Sequence, residues 1–535
     1  MKFNSFFFLL LTLGLVVGAP AAWAQKHALP PLPPANAPVQ TARMELPLEP
    51  TDSEVHVQTL PQDSTLALLL GRRQLLASKT GFVFQLYDHN LCLRQETPLD
   101  VPDEFSFVRM CAESGTVYAL FASRHTPGKL LVAAYRGKPG QVKTQQFDTK
   151  LSREIVELKA LDGRLFATVL LNDQLHVTAL LLDVATGQMQ YLPSVYELLP
   201  TQLTFVADAA TRRAEYVLSQ TNGRKSRLLL KQLTDRGQLV SSEFVQAESD
   251  RSLITAQVTP PQDTTARLLM GTYSLRDPNY AQGLFATNLR PAAGTGAKAP
   301  LRFYDFLHLK HFFDYLKPGR EARLRQRIGR RVARSSPPLR WHYRLLLHEL
   351  LPQPDGGYVL VAEVYYPHYR YNSYGSYSGP SNNLGNQFGT SPYASSRVFD
   401  GYQTTHALVC GFDRAGSLVW DNTFVVEDLR RSELEEGVRL QTLPDGRLVL
   451  AYLDEEKLRY KLINRGESSP NNQLVPIQTS VGAPGNSDRV ERANGTTQGV
   501  LLPLFGSRFV ATGYQHVRVE HGTDRDVFCL NSVVF

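Results

Sequence analysis

Short apolar runs, broken by Asp-Gly turns and returning about every 50 residues, predict an all-β fold: a β-propeller of seven or eight four-stranded blades. The runs themselves are the first observation. SGTVYALF (114–121), DGRLFATVL (162–170), ARLLMGTY (266–273), GGYVLVAEV (356–364), DGRLVLAY (445–452) and GSRFVATG (506–513) each open on a turn residue or a charge. Each then becomes nearly continuously apolar, as a strand buried on both faces must. The second observation is a later marker in which an Asp-containing turn joins two strands, as in LYDHNL (86–91), LLDVATGQ (181–188), LTDRGQL (233–239) and GFDRAGSL (411–418). The third is the period. Starting positions at 115, 163, 213, 266, 357, 446 and 507 give first gaps of 48, 50 and 53 residues. A sandwich does not sustain so many units at one period, and an outer-membrane barrel needs longer strands that alternate strictly.

Each element of the blade has a reason in the residues. Gly163, Gly356 and Gly446 stand where a hairpin turn needs positive φ, and the Asp before each can bond the turn backbone. The second and third strands of a unit are its most apolar, whereas fourth strands such as 141–147 and 239–245 mix polar and apolar residues. An irregular first unit lies at 66–96. The last unit, 499–534, lacks a fourth strand, and Glu54–Leu60 is expected to supply it, closing the ring and covering a sheet edge.

Composition limits the alternatives. With 43% hydrophobic and 20% charged residues, the 535-residue chain is neither disordered nor fibrous. Four cysteines are too few for a disulfide scaffold. Cys92, Cys111, Cys410 and Cys529 lie in or beside apolar runs, which suits buried thiols, and a Cys92–Cys111 bridge between neighbouring strands is the other reading.

Residues 1–24 read as a signal peptide: Lys2, the apolar run Phe6–Val17, then Ala22-Trp23-Ala24 as a cleavage site. No cysteine stands at the cut for lipid attachment, so a periplasmic or secreted protein, not a lipoprotein, is expected. Residues 25–53, with Pro30, Pro31, Pro33, Pro34 and Pro38, read as a proline-rich linker, and 54–535 as the propeller.

Two insertions interrupt the period. In 308–344, Leu309, Phe312, Phe313 and Leu316 follow helical spacing, Pro318-Gly319 breaks it, and Leu324, Ile328 and Val332 resume it. From Lys317 to Arg344 ten cations face the single Glu321, a net +9 in a chain whose whole charge is +7. Such a helix is either a lid docked by its apolar stripe, a surface for anionic lipid or acidic polysaccharide, or a contact for a protein. Arg323, Arg327, Arg330 and Arg334 are the candidate contacts. Nucleic acid is disfavoured by export and by the lack of interleaved aromatics. The second insertion, 365–406, is a loop rich in Tyr, Gly, Ser and Asn. Its Tyr369, Tyr371, Tyr374 and Tyr377 are candidate contacts for a protein or glycan partner at one rim.

Catalytic and cofactor motifs do not appear. His348-Glu349 begins like HExxH, but position 352 is proline. Ser does not occupy the centre of Gly375–Gly379, and there is no phosphate loop, calcium loop or CxxC pair. No metal or cofactor is expected. The Trp420-Asp421 dipeptide does not recur. Together these point to a non-enzymatic binding or interaction scaffold, the alternative being a propeller hydrolase or lyase that gathers acid and base residues in the channel. The stretch LLLHELLPQPDGGYVLVAEVYYPHYR (345–370) and GYQTTHALVCGFDRAGSLVWDNTF (401–424) resembles a group of uncharacterised exported bacterial proteins with propeller-like repeats. That similarity, over about residues 305–535, implies no activity and assigns no site residue.

Overall fold

In the computed structural model, residues 37–535 are described apart from 75–78, 138–139, 151–153, 172–175, 193–200, 222–224, 248, 261–266, 291–298, 335–338, 372–396, 480–490 and 520–522. The expected leader and Pro30, Pro31, Pro33 and Pro34 therefore lie outside the described residues. Pro38–Phe535 forms one unit. Its strands make eight antiparallel sheets, so the ring has eight blades rather than seven.

The blades follow one another along the chain. Blade 1 is Ser53–Leu60, Thr65–Gln74, Lys79–Asp88 and Leu93–Leu99; blade 2 runs from Phe105 to Asp148, blade 3 from Glu154 to Tyr191 and blade 4 from Thr201 to Val245. Blade 5 spans Ser252–Asp305, blade 6 Arg344–Arg431 and blade 7 Arg439–Pro476. Blade 8 takes three strands from the C-terminal end, Glu491–Pro503, Arg508–Val519 and Arg525–Val534. Its fourth is Val39–Leu46, paired antiparallel from Val39–Val534 to Leu46–Phe528.

That pairing corrects the expected closure. Ser53–Leu60 is the first strand of blade 1, paired to Thr65–Arg72, and the closing strand lies inside the stretch read as linker, so the propeller begins before residue 54. The reason is chemical. Ala42, Met44 and Leu46 pack on the core between blades 8 and 1, while Arg43 bonds Asn531 and Gln515 at 2.9 Å, so the strand satisfies both faces of an outer position.

Apolar cores lie between blades. Eight buried clusters occur among the described residues, and each joins one neighbouring pair of blades, from Phe84–Phe121–Tyr135 between blades 1 and 2 round to Leu68–Tyr514–Phe528 between blades 8 and 1. This explains why second and third strands are apolar on both faces: each sheet has a neighbour on either side. Fully burying a Leu or Phe stabilises by roughly 1.5–3 kcal/mol, and side chains in these clusters draw that gain from the blade next to their own. The predicted turns hold. Gly163, Gly356 and Gly446 have φ of 77°, 81° and 84°, and Asp355 and Asp445 accept the amides of Gly357 and Arg447 at 3.0 Å.

Both insertions depart from expectation. Residues 309–316 are turns, with Leu309, Phe312 and Phe313 wholly buried; the helix α1 spans Pro318–Ala333 alone. Asp421, on the outer strand of blade 6, accepts the amides of Lys310 and His311 at 3.0 and 2.6 Å, diverting the backbone from a helical ladder. That is the role of the Trp-Asp dipeptide here. Pro318 starts α1 rather than breaking a helix, because the first helical residue needs no donor. In the second insertion, residues 365–371 and 397–406 are not loop. They lengthen blade 6 into strands Tyr358–Tyr371 and Arg397–Phe412, with Tyr369 opposite Phe399.

Candidate functional site

The first strands of successive blades lie side by side and form the wall of the central channel. A cavity of about 460 Å³ opens there, lined by residues of blades 1, 2, 3, 7 and 8, among them His56, Phe107, Arg109, Glu157, Glu435 and Arg439. His56 stacks on Phe107 with ring centres 3.6 Å apart.

Charges reach across this channel. Arg109 of blade 2 lies 3.4 Å from Glu433 and 3.6 Å from Glu435, which belong to the segment 432–437 joining blades 6 and 7 on the far side. Its Nε also donates to the Ile155 carbonyl of blade 3 at 2.8 Å. Lys159 of blade 3 pairs with Glu349, which follows the first strand of blade 6. Arg439 pairs with Glu436 at 3.1 Å and donates to the Leu501 carbonyl of blade 8. The acidic segment thus straddles the channel, held at both ends.

Its root is a buried ion pair. Glu363 Oε1 accepts from His348 Nε2 at 2.9 Å and from the amides of Gly437 and Val438 at 2.8 Å, and Oε2 accepts from Thr404 at 3.2 Å. Burial pushes this carboxyl up, but the His348 bond and the two amides outweigh it and hold it below the usual range. Burial lowers His348, but Glu436 and Glu363 raise it above its ordinary value. Both carboxylate oxygens of Glu363 are engaged inside the wall, which makes the pair an anchor rather than an open acid–base couple.

Glu157 behaves differently. Burial raises its carboxyl above the usual range, Lys159 pulls it back, and Glu349 raises it again. It is the one channel-lining carboxylate so raised among the described residues. A hydrolytic mechanism calls for an acid and a base in opposed roles about a reacting bond, and Glu349, Glu433, Glu435 and Glu436 are tied to Lys159, Arg109 and Arg439. No group of three His, Cys, Asp or Glu side chains placed to hold a metal occurs among the described residues.

Arg323, Arg327, Arg330, Arg334 and Tyr369 do not line this cavity. Arg323, Arg327, Arg330 and Arg334 are exposed on or just past α1, and none has an ion pair among the described residues. The helix meets the ring through Leu324, which packs on the aromatic core of blades 5 and 6. Arg325 helps, bonding Glu321 and the Lys310 carbonyl at 2.7 Å. Tyr369 is exposed on the lengthened blade 6, 5.9 Å from Phe399. Tyr371 ends its strand, and Tyr374 and Tyr377 lie outside the described residues. The sequence reading missed Arg109, Glu157 and the 432–437 segment. Its one local signal was the acidic run Glu433-Leu434-Glu435-Glu436 between two strands. The four cysteines are free thiols, three buried and Cys92 exposed, so the bridge reading is set aside, as is a buried Cys92.

No family model matches the chain, and no curated protein does. Among solved structures it is similar to the polysaccharide lyase Uly1, with 8% identity, a TM-score of 0.37 and coverage of 79% of this chain and 89% of that one. It is also similar to the β-propeller domain of the Trilobed protease from Pyrococcus furiosus, at 8% identity and a TM-score of 0.34, over 80% of this chain and 99% of that one. A third is the quinohemoprotein alcohol dehydrogenase ADHIIG from Pseudomonas putida HK5, at 11% identity and 0.38, over 92% and 78%. Likenesses this slight say nothing of what this chain binds or does; its eight-bladed propeller architecture stands on its own strand pairing.

Proposed function

We propose that this protein is an exported propeller that works as a non-enzymatic binding scaffold, with its partner taken at a rim rather than in the channel. The single observation that carries this reading is the pairing of channel charges across the ring. Arg109 with Glu433 and Glu435, and Lys159 with Glu349, occupy the space where a propeller hydrolase or lyase would set its acid and base. Glu157 alone does not make such a couple. Export rests on the leader-like sequence of residues 1–24. No helix among the described residues is long and apolar enough to cross a membrane.

Two measurements test it. N-terminal sequencing of protein recovered from the periplasm or medium of a bacterial host is expected to begin at Gln25. Incubation with neutral and acidic polysaccharides is expected to release neither reducing ends nor unsaturated uronates. Turnover that disappears in Glu157→Gln would establish the hydrolase or lyase alternative instead.

A further inference from the structure

The exposed face of α1 carries more order than a general positive charge. Arg320, Arg323, Arg327, Arg330 and Arg334 step by three and four residues in alternation. At 100° per residue they fall within an arc of about 80°, and at 1.5 Å per residue the row is about 21 Å long. All five are exposed, and none has an ion pair among the described residues. Glu321, the one acid of the helix, is on the other side and bonded to Arg325. Beside the row run Ala322, Gln326, Gly329 and Ala333, all exposed, and nothing lies within 4 Å of where a Cβ on Gly329 would sit. The helix therefore presents a straight rail of guanidinium groups along a low ledge.

We propose that this rail binds a linear acidic polysaccharide of the polyuronate class, which deepens and rests on the binding-scaffold reading above. A polyuronate carries one carboxylate per sugar ring along an extended chain, so its line of negative charge complements an exposed row of guanidinium groups about 21 Å long. Planar guanidinium forks match planar carboxylates two bonds at a time. The small residues of the ledge let sugar rings approach the helix. A membrane surface fits less well. Interfacial helices insert bulky apolar side chains next to their cations, whereas here Leu324 is spent on the ring core and small residues flank the rail.

The test uses the full chain with polygalacturonate as the probe, in affinity electrophoresis and in solution titration. Binding is expected at low salt and is expected to fade as the screening length falls from about 30 Å at 0.01 M to about 8 Å at 0.15 M. Fully methyl-esterified polymer should not bind. The quadruple variant Arg323→Gln, Arg327→Gln, Arg330→Gln, Arg334→Gln should bind roughly 30-fold more weakly, the joint loss of four exposed charge pairs. Lysine at the same four positions should retain salt-sensitive binding, several-fold weaker, with the far-ultraviolet circular dichroism unchanged. Undiminished binding by the glutamine variant, equal binding of the esterified polymer, or binding only to phosphatidylglycerol vesicles or duplex DNA would each overturn the proposal. Shortening of the polymer with binding intact would instead overturn the scaffold reading and leave the rail standing.

Discussion

Replacing Glu363 by glutamine should destabilise the ring by an amount that depends on pH, and the dependence follows from the pair it breaks. Glu363 is 1% exposed and His348 5%. Glutamine keeps an acceptor for the amides of Gly437 and Val438 but removes the charge facing His348. Breaking one side of a buried pair costs about 3–5 kcal/mol. Glu363 is held below the ordinary carboxylate value of 4.5, so its contribution is complete above that value and is lost as pH falls through the folded pKa. His348 is raised above its ordinary 6.5, so its contribution is complete below that value and is lost as pH rises through the folded pKa. Both charges therefore stabilise together between about pH 4.5 and 6.5. Unfolding entropy of about 2.1 cal/mol/K per residue, over a ring of roughly 500 residues, comes to about 1 kcal/mol/K. The variant should thus melt about 3–5 °C below the parent near pH 5.5, and by a smaller margin at about pH 9, as the raised His348 gives up its proton. Differential scanning fluorimetry at both pH values measures this. An equal shift at the two, or none at either, would refute the argument that the pair acts as ionised partners.

Other expectations follow from the same geometry. A chain starting at Pro47 should melt about 3–6 °C below one starting at Pro38, because Met44 and Leu46 leave the core between blades 8 and 1. It should also elute as larger species in size-exclusion chromatography, because the outer edge of blade 8 is left open. Glu157→Gln should raise the melting temperature at about pH 8. A raised carboxyl is penalised in its charged form, so that gain should vanish below about pH 4. A thiol reagent should label Cys92 alone in the folded protein and all four cysteines after denaturation; rapid labelling of more than one native thiol would contradict the burial of Cys111, Cys410 and Cys529.

The features legible along the chain are local in origin. The second strand of each blade, the Asp-Gly turns and the period near 50 residues arise within a few residues of one another, where apolar runs and positive-φ glycines leave a readable pattern. The arginine row of α1 is legible for the same reason, since helical spacing depends only on near neighbours. Distant partners settled the rest. Val39–Leu46 closes the ring against residues almost 500 positions away, and nothing local separates it from Ser53–Leu60, which is equally strand-like. The turns at 309–316 form because Asp421 takes two of their amides. Arg109 meets Glu433 across 324 positions, and Glu363 anchors the amides of Gly437 and Val438 from another strand. A charge pair across a channel has no spacing rule along the chain, because the ring, not the local backbone, brings its members together.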